Sequence, residues 1–83
     1  MLAIITAILI QISVVTTDGK PIKGAGVFCD MELNITDSAG HIVFSVEPGT
    51  HWIKVHKDGF KGFEGEIRFT AEEPNETIIM RER

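Results

Sequence analysis

Apolar and polar residues alternate with a period of two along much of this chain. In the segment HIVFSV, Ile42, Phe44 and Val46 fall on one side, and in HWIKVH, Ile53 and Val55 do the same. Because successive side chains of a β-strand point to opposite faces, these residues are predicted to form the buried faces of two strands. No stretch of about ten residues has helical periodicity, so the pattern predicts an all-β protein.

Turn-forming sequences separate the β-rich runs, among them TDGKP, TDSAG, EPG, KDGFKG and EEPNE. The predicted strands cover residues 2–16, 25–30, 32–36, 41–46, 50–57, 63–70 and 76–82. Many short strands at near-even spacing are typical of an antiparallel sandwich or barrel. With 83 residues in all, the chain is predicted to form a single domain, 1–83.

The Pro48-Gly49 turn is predicted to join the two alternating segments as a β-hairpin, with Val46 opposite His51. His51 then lies on the core side, where we expect a hydrogen-bonded histidine rather than a metal ligand. In that register three pairs meet on the outer face: Ser45 with Trp52, Val43 with Lys54, and His41 with His56.

Residues 2–9 are apolar on both faces of the predicted first strand, apart from Thr6. A strand of this kind exposed to water would be prone to associate with other chains. We therefore expect self-association into a symmetric homo-oligomer, or insertion of the segment between the two sheets. The predicted interface residues are Leu2, Ile4, Ile5 and Leu9. The run is interrupted by Gln11 and Ser13 and lacks the basic flank of a signal peptide, so it predicts no membrane span.

Charge argues against one class of partner, and the cysteine content excludes a disulfide scaffold. The net charge is −4, and no stretch clusters Lys or Arg with aromatic residues, so nucleic acid is not an expected partner. The single cysteine, Cys29, excludes an intrachain disulfide and is predicted to be a small buried residue. No cofactor is predicted.

The histidines offer a weak candidate for a metal site. His41 and His56 would project side by side in the predicted hairpin, with Asp58 as a conceivable third ligand. Two histidines do not define a site, and exposed polar residues on a solvated face explain them as well. Because no nucleophile, acid–base pair or ligand set stands out, we predict no metal site, no catalytic residues and no enzymatic activity.

Trp52 is the main candidate for a binding residue. Alternation places it on the outer face beside Val43 and Lys54, and these three residues form the predicted binding site. An aromatic side chain in this position is either covered by another part of the chain or available to a protein or a sugar ring.

Taken together, the turn motifs resemble the carboxypeptidase regulatory-like domain. The shared features are Asp18-Gly19, Pro21-Ile22, Gly24-Ala25, Thr36-Asp37 with Gly40, Pro48-Gly49 and Gly59-Phe60. The resemblance covers residues 10–81, leaves residues 1–9 as an extension, and departs from the family at His51, where a tyrosine is usual. It implies a seven- to eight-stranded antiparallel Greek-key β-sandwich of the Ig-like or transthyretin-like type.

Domains of this family usually serve as accessory, spacer or adhesive modules, and similar sandwiches occur in phage structural proteins. The resemblance thus implies a non-enzymatic interaction or structural module of a surface, secreted or virion assembly, acting through sheet edges and exposed apolar surface. The alternative is a small-ligand or carbohydrate-binding module that uses Trp52.

Overall fold

A computed structural model of the protein describes residues 7–83. These residues form seven strands and no helix. The strands are β1 (Ile8–Thr16), β2 (Gly26–Cys29), β3 (Glu32–Ile35), β4 (His41–Val46), β5 (Gly49–His56), β6 (Phe63–Phe69) and β7 (Asn75–Met80). Across residues 7–83 there is accordingly no helix with the length and apolar character needed to cross a membrane. The all-β prediction is confirmed, and each of the seven predicted strands has a counterpart.

The strands form two sheets that share one core. One sheet has three strands in the order β4-β1-β7, and the other has four in the order β3-β2-β5-β6. The prediction of a purely antiparallel fold is wrong, because β1 and β7 pair in parallel. β1 runs antiparallel to β4 on one side and parallel to β7 on the other, whereas all pairs of the four-stranded sheet are antiparallel.

Alternating residues of both sheets make up the core. In β1, Ile10, Ile12 and Val14 are fully buried, and each of the other strands except β3 contributes buried or half-buried apolar side chains. The remaining buried apolar residues are Ile22, Ala25, Val27, Cys29, Ile42, Phe44, Ile53, Val55, Phe69, Ile78 and Met80. Burial of Ile42, Phe44, Ile53 and Val55 confirms the predicted core faces of β4 and β5. Cys29 is buried as predicted.

The predicted hairpin between β4 and β5 is wrong. Residue Val46 pairs with Ile8 of β1, whereas His51 pairs with Ile67 of β6, so the two strands belong to different sheets. The chain crosses from one sheet to the other at Glu47-Pro48 instead of folding back on itself. Burial alternates identically in a hairpin and in such a corner, because in both cases the apolar side faces the same core.

A buried hydroxyl group connects two of the loops. The Thr36 Oγ1 atom donates to the carbonyl of Ile22 at 2.7 Å and accepts from the amide of Ala25 at 2.9 Å. Nearby, the amide of Val14 donates to the carbonyl of Gly40 at 2.8 Å. These contacts satisfy polar groups that the sheets leave unpaired, and they hold the loops after β1 and β3 against the core.

Candidate functional site

The outer face of the four-stranded sheet carries a row of exposed apolar side chains. Phe28 lies directly opposite Leu33 across the β2–β3 pair. Trp52 on β5 is the diagonal neighbour of Phe28. Ile35 extends the row along β3. The exposed fractions are 38% for Phe28, 49% for Leu33, 58% for Ile35 and 45% for Trp52. We refer to these four residues as the apolar strip.

Charged and polar side chains border the apolar strip on the β5 and β6 side. Lys54 lies between Phe28 and Glu64, and Trp52 faces Glu66. A shallow groove of about 330 Å³ runs along the other end of the strip, between β3 and the end of β5. An apolar centre with a polar border is the composition expected of a protein-binding surface.

The apolar strip reaches an open sheet edge. β3 is the last strand of its sheet, and within residues 7–83 no strand pairs with its other side. All four of its residues are exposed, including Glu32 and Asn34 on the inner side, because the three-stranded sheet does not cover them. An edge of this kind offers backbone N–H and C=O groups to an additional strand.

The three residues of the predicted binding site do not come together. Trp52 and Lys54 lie on the outer face of β5, as alternation predicted. Val43 lies on β4, opposite Gln11, on the outer face of the other sheet. Its placement beside Lys54 depended on the hairpin register and is therefore wrong. Phe28, Leu33 and Ile35 occupy that neighbourhood instead.

The predicted interface is only partly described. Leu2, Ile4 and Ile5 lie outside the described residues. Leu9, at the start of β1, is 70% exposed on the outer face of the three-stranded sheet. It pairs with Ser45 of β4.

The weak candidate metal pair is separated. His41 on β4 is paired with Ser13, and His56 on β5 is paired with Gly26 of the other sheet. The two imidazoles are on opposite outer faces, so this pair cannot share an ion. Asp58 does approach His56, with 3.4 Å between Oδ1 and Nε2, but both groups are exposed.

A different cluster forms at the end of the fold where β2 turns into β3. His51 lies on the inner side of β5, with Nδ1 2.7 Å from the Asp30 Oδ2 atom and Nε2 2.6 Å from the Glu47 carbonyl oxygen. This is the hydrogen-bonded histidine that the sequence predicted. Asp30 has a φ of 57°, in the left-handed region, at the two-residue turn that joins β2 to β3. The cluster lines a cleft of about 700 Å³.

A backbone carbonyl, burial and nearby carboxylates together shift the pKa values of two side chains in this cleft. The hydrogen bond to the Glu47 carbonyl, and then the contact with Asp30, raise the pKa of His51 above its usual range, against the opposing effect of burial. Burial and the nearby charges of Asp30 and Glu32 raise the pKa of the Cys29 thiol to about 11. At neutral pH the thiol is therefore protonated, which makes it a weak nucleophile.

Sequence reasoning identified Trp52 of the apolar strip but missed its other three residues and the cluster at His51, for identifiable reasons. The alternation in GVFC and ELNI does place Phe28, Leu33 and Ile35 on one side, but short strands do not reveal which strand each will neighbour. Cys29, Asp30 and His51 are brought together only by the pairing of β2 with β5. No spacing within the sequence indicates that pairing.

Comparison with known proteins assigns the chain to no family. No protein-family model matches the chain, and no curated protein matches it significantly.

Proposed function

We propose that the chain is a non-enzymatic β-sandwich module that works by protein–protein contact, as part of a surface, secreted or virion assembly. One observation carries this proposal: the four exposed apolar side chains of the strip lie on one face of the sheet, and the strip ends at the open edge at β3. Large apolar side chains in a contiguous exposed row are a recurrent mark of an interaction surface. Here the row and the open edge are parts of the same surface.

The proposed class is the carboxypeptidase regulatory-like, transthyretin-like sandwich with a Greek-key arrangement. Its support comes from where the shared motifs fall. Pro21 makes an isolated bridge with Val15, Thr36 joins the loop that contains Ile22 and Ala25, and Gly40 contacts β1. Motif residues that are distant in the sequence therefore lie close together in the fold. This is a physical reason for these motifs to occur together in one chain.

The first partner that we propose is a second copy of the chain. If β3 of one copy pairs antiparallel with β3 of another, the contact is symmetric and the two four-stranded sheets become continuous. Both strips then lie side by side on one face, so Leu33 and Ile35 of each copy lose part of their contact with water. The apolar residues 2–9 remain a second proposed source of self-association.

Light scattering tests this proposal directly. We expect the molar mass of the unaltered chain to rise with concentration, and Leu33→Glu to shift the rise to at least about tenfold higher concentration, because a buried unpaired carboxylate costs free energy at the interface. Val43→Glu is the matched control. Val43 is 53% exposed, close to the 49% of Leu33, but lies on the outer face of the other sheet.

Three outcomes would count against the proposed interface. A chain that stays monomeric at high concentration would exclude self-association. An equal effect of Val43→Glu and Leu33→Glu would exclude the apolar strip as the contact. Deletion of residues 1–7 leaves β1 intact; if it alone abolished the rise in mass, self-association would depend on the N-terminal segment instead.

The alternative function is binding of a small ligand or a carbohydrate. Its support is the exposed ring of Trp52 with Lys54 and Glu66 beside it, since sugar rings stack on aromatic faces and hydrogen-bond to neighbouring polar groups. Quenching of the fluorescence of this single tryptophan by a sugar, in a chain that stays monomeric, would favour this alternative.

A further inference from the structure

Three potential metal ligands of different chemistry meet at the end of β2. The Cys29 Sγ atom, an Asp30 carboxylate oxygen and a His51 ring nitrogen all lie within 4.8 Å of one another. Among residues 7–83, this is the one such group of three or more ligating side chains. Two neighbouring strands hold it, because Cys29 pairs with Ile53, two residues along β5 from His51.

The orientation of the imidazole suits metal binding. The Glu47 carbonyl can only accept a hydrogen bond, so the Nε2 atom of His51 must carry a proton and donate it over 2.6 Å. The neutral ring then presents the lone pair of Nδ1 toward Asp30. A histidine that binds a metal characteristically donates its other N–H group to a carboxylate or a backbone carbonyl, as His51 does here.

The charge around the cluster also suits a cation. The residues that line the cleft include Asp30, Glu32 and Glu47 but no Lys or Arg. The Nδ1 atom of His51 and the Asp30 Oδ2 atom lie 2.7 Å apart, which is the distance of a hydrogen bond with a proton between two acceptor atoms. A metal ion can take the place of that proton.

We propose that Cys29 Sγ, Asp30 Oδ2 and His51 Nδ1 bind a borderline-soft divalent cation of the zinc type. Thiolate and imidazole ligands favour zinc over the oxygen-seeking ions magnesium and calcium. In a tetrahedral site the oxygen and nitrogen ligands lie about 3.3 Å apart, so the Asp30 carboxylate has to move by roughly half an ångström. Asp30 is at an exposed turn, where such a movement is easy.

Binding replaces protons with the ion. The Cys29 thiol releases its proton to solvent as the metal–sulfur bond forms, and Nδ1 binds without a proton. The ion then ties the β2–β3 turn to β5, so its effect is structural and independent of the apolar strip. Because the two strands hold the ligands together only when the chain is folded, the ion stabilises the folded state.

Titration of the full chain with Co²⁺ and Zn²⁺ tests this inference. We expect a cobalt–thiolate charge-transfer band that saturates at about one equivalent, and a rise in melting temperature with Zn²⁺ but not with Mg²⁺. Cys29→Ala should remove the band, since it deletes the sulfur but keeps a small apolar side chain in the core. Asp30→Asn should weaken binding at least about tenfold, and it preserves the turn because Asn tolerates positive φ.

His56→Gln is the matched control for adventitious binding. His56 and Asp58 form an exposed pair that could hold zinc weakly on the surface. The control should leave the cobalt band and the zinc effect unchanged. The inference is overturned if no thiolate band forms with one equivalent of Co²⁺, or if the zinc stabilisation survives in Asp30→Asn and disappears in His56→Gln.

Discussion

Replacing Phe44 with alanine should lower the free energy of unfolding by about 3–5 kcal/mol. The side chain of Phe44 is 2% exposed and lies in the core between the two sheets, so its removal loses apolar burial and leaves a cavity. A domain of this size has a stability of only about 4–12 kcal/mol, so the loss would be a large part of the total.

The neighbouring residue provides the control for this prediction. Val43→Ala is on the same strand but on the exposed face, and should cost less than about 1 kcal/mol. Urea titration followed by Trp52 fluorescence measures both variants. Similar losses at positions 43 and 44 would mean that the faces of β4 are assigned wrongly.

Substituting Gly40 with alanine should cost about 2–5 kcal/mol, which combines backbone strain with a steric clash. Gly40 has a φ of 76°, and a Cβ atom there would lie 2.6 Å from the carbonyl oxygen of Val14. That oxygen accepts a hydrogen bond from the amide of Ile22 at 2.9 Å, and the amide of Val14 donates to Gly40 itself. The added Cβ atom would therefore clash with a part of the backbone that these two hydrogen bonds hold in place.

Gly19→Ala separates the two contributions. Gly19 has a nearly equal φ of 81°, but an added Cβ atom would have no neighbour within 4 Å. It should cost only the strain of the left-handed conformation, about 1–2 kcal/mol. Thermal unfolding of the two variants checks the difference, and equal losses would show that the contact between Gly40 and β1 contributes nothing.

The local features of the fold were predictable because they depend on neighbouring residues. Alternation identified β4 at its observed bounds and placed Ile42, Phe44, Ile53 and Val55 in the core. It also placed Trp52 outside. These predictions need only the period of a strand and the preference of apolar side chains for the interior.

The partners of each strand were not predictable in the same way. A tight turn such as Pro48-Gly49 is equally compatible with a hairpin and with a corner between sheets, and the wrong choice displaced Val43 and the His41–His56 pair. The parallel pairing of β1 with β7 joins strands near the two ends of the described chain, and each pair of partners, such as Ser13 and Thr77, is 64 residues apart in the sequence. Pairings over such separations leave no trace in local sequence.

The candidate sites depend on these long-range pairings. The apolar strip needs β2, β3 and β5 side by side, and the metal-ligand cluster needs Cys29 next to β5. Single residues were nonetheless informative. His51 was expected to be hydrogen-bonded on the core side, and both of its ring nitrogens have partners.

Hydrogen–deuterium exchange at several protein concentrations tests most directly that the edge at β3 is the interaction surface. β6, the opposite edge of the same sheet, is the internal reference. If copies associate through β3, the amides of Glu32–Ile35 that point away from β2 become protected as concentration rises, and those of β6 do not. Unchanged exchange at β3 while the molar mass increases, or new protection confined to β6, would contradict the proposed interface.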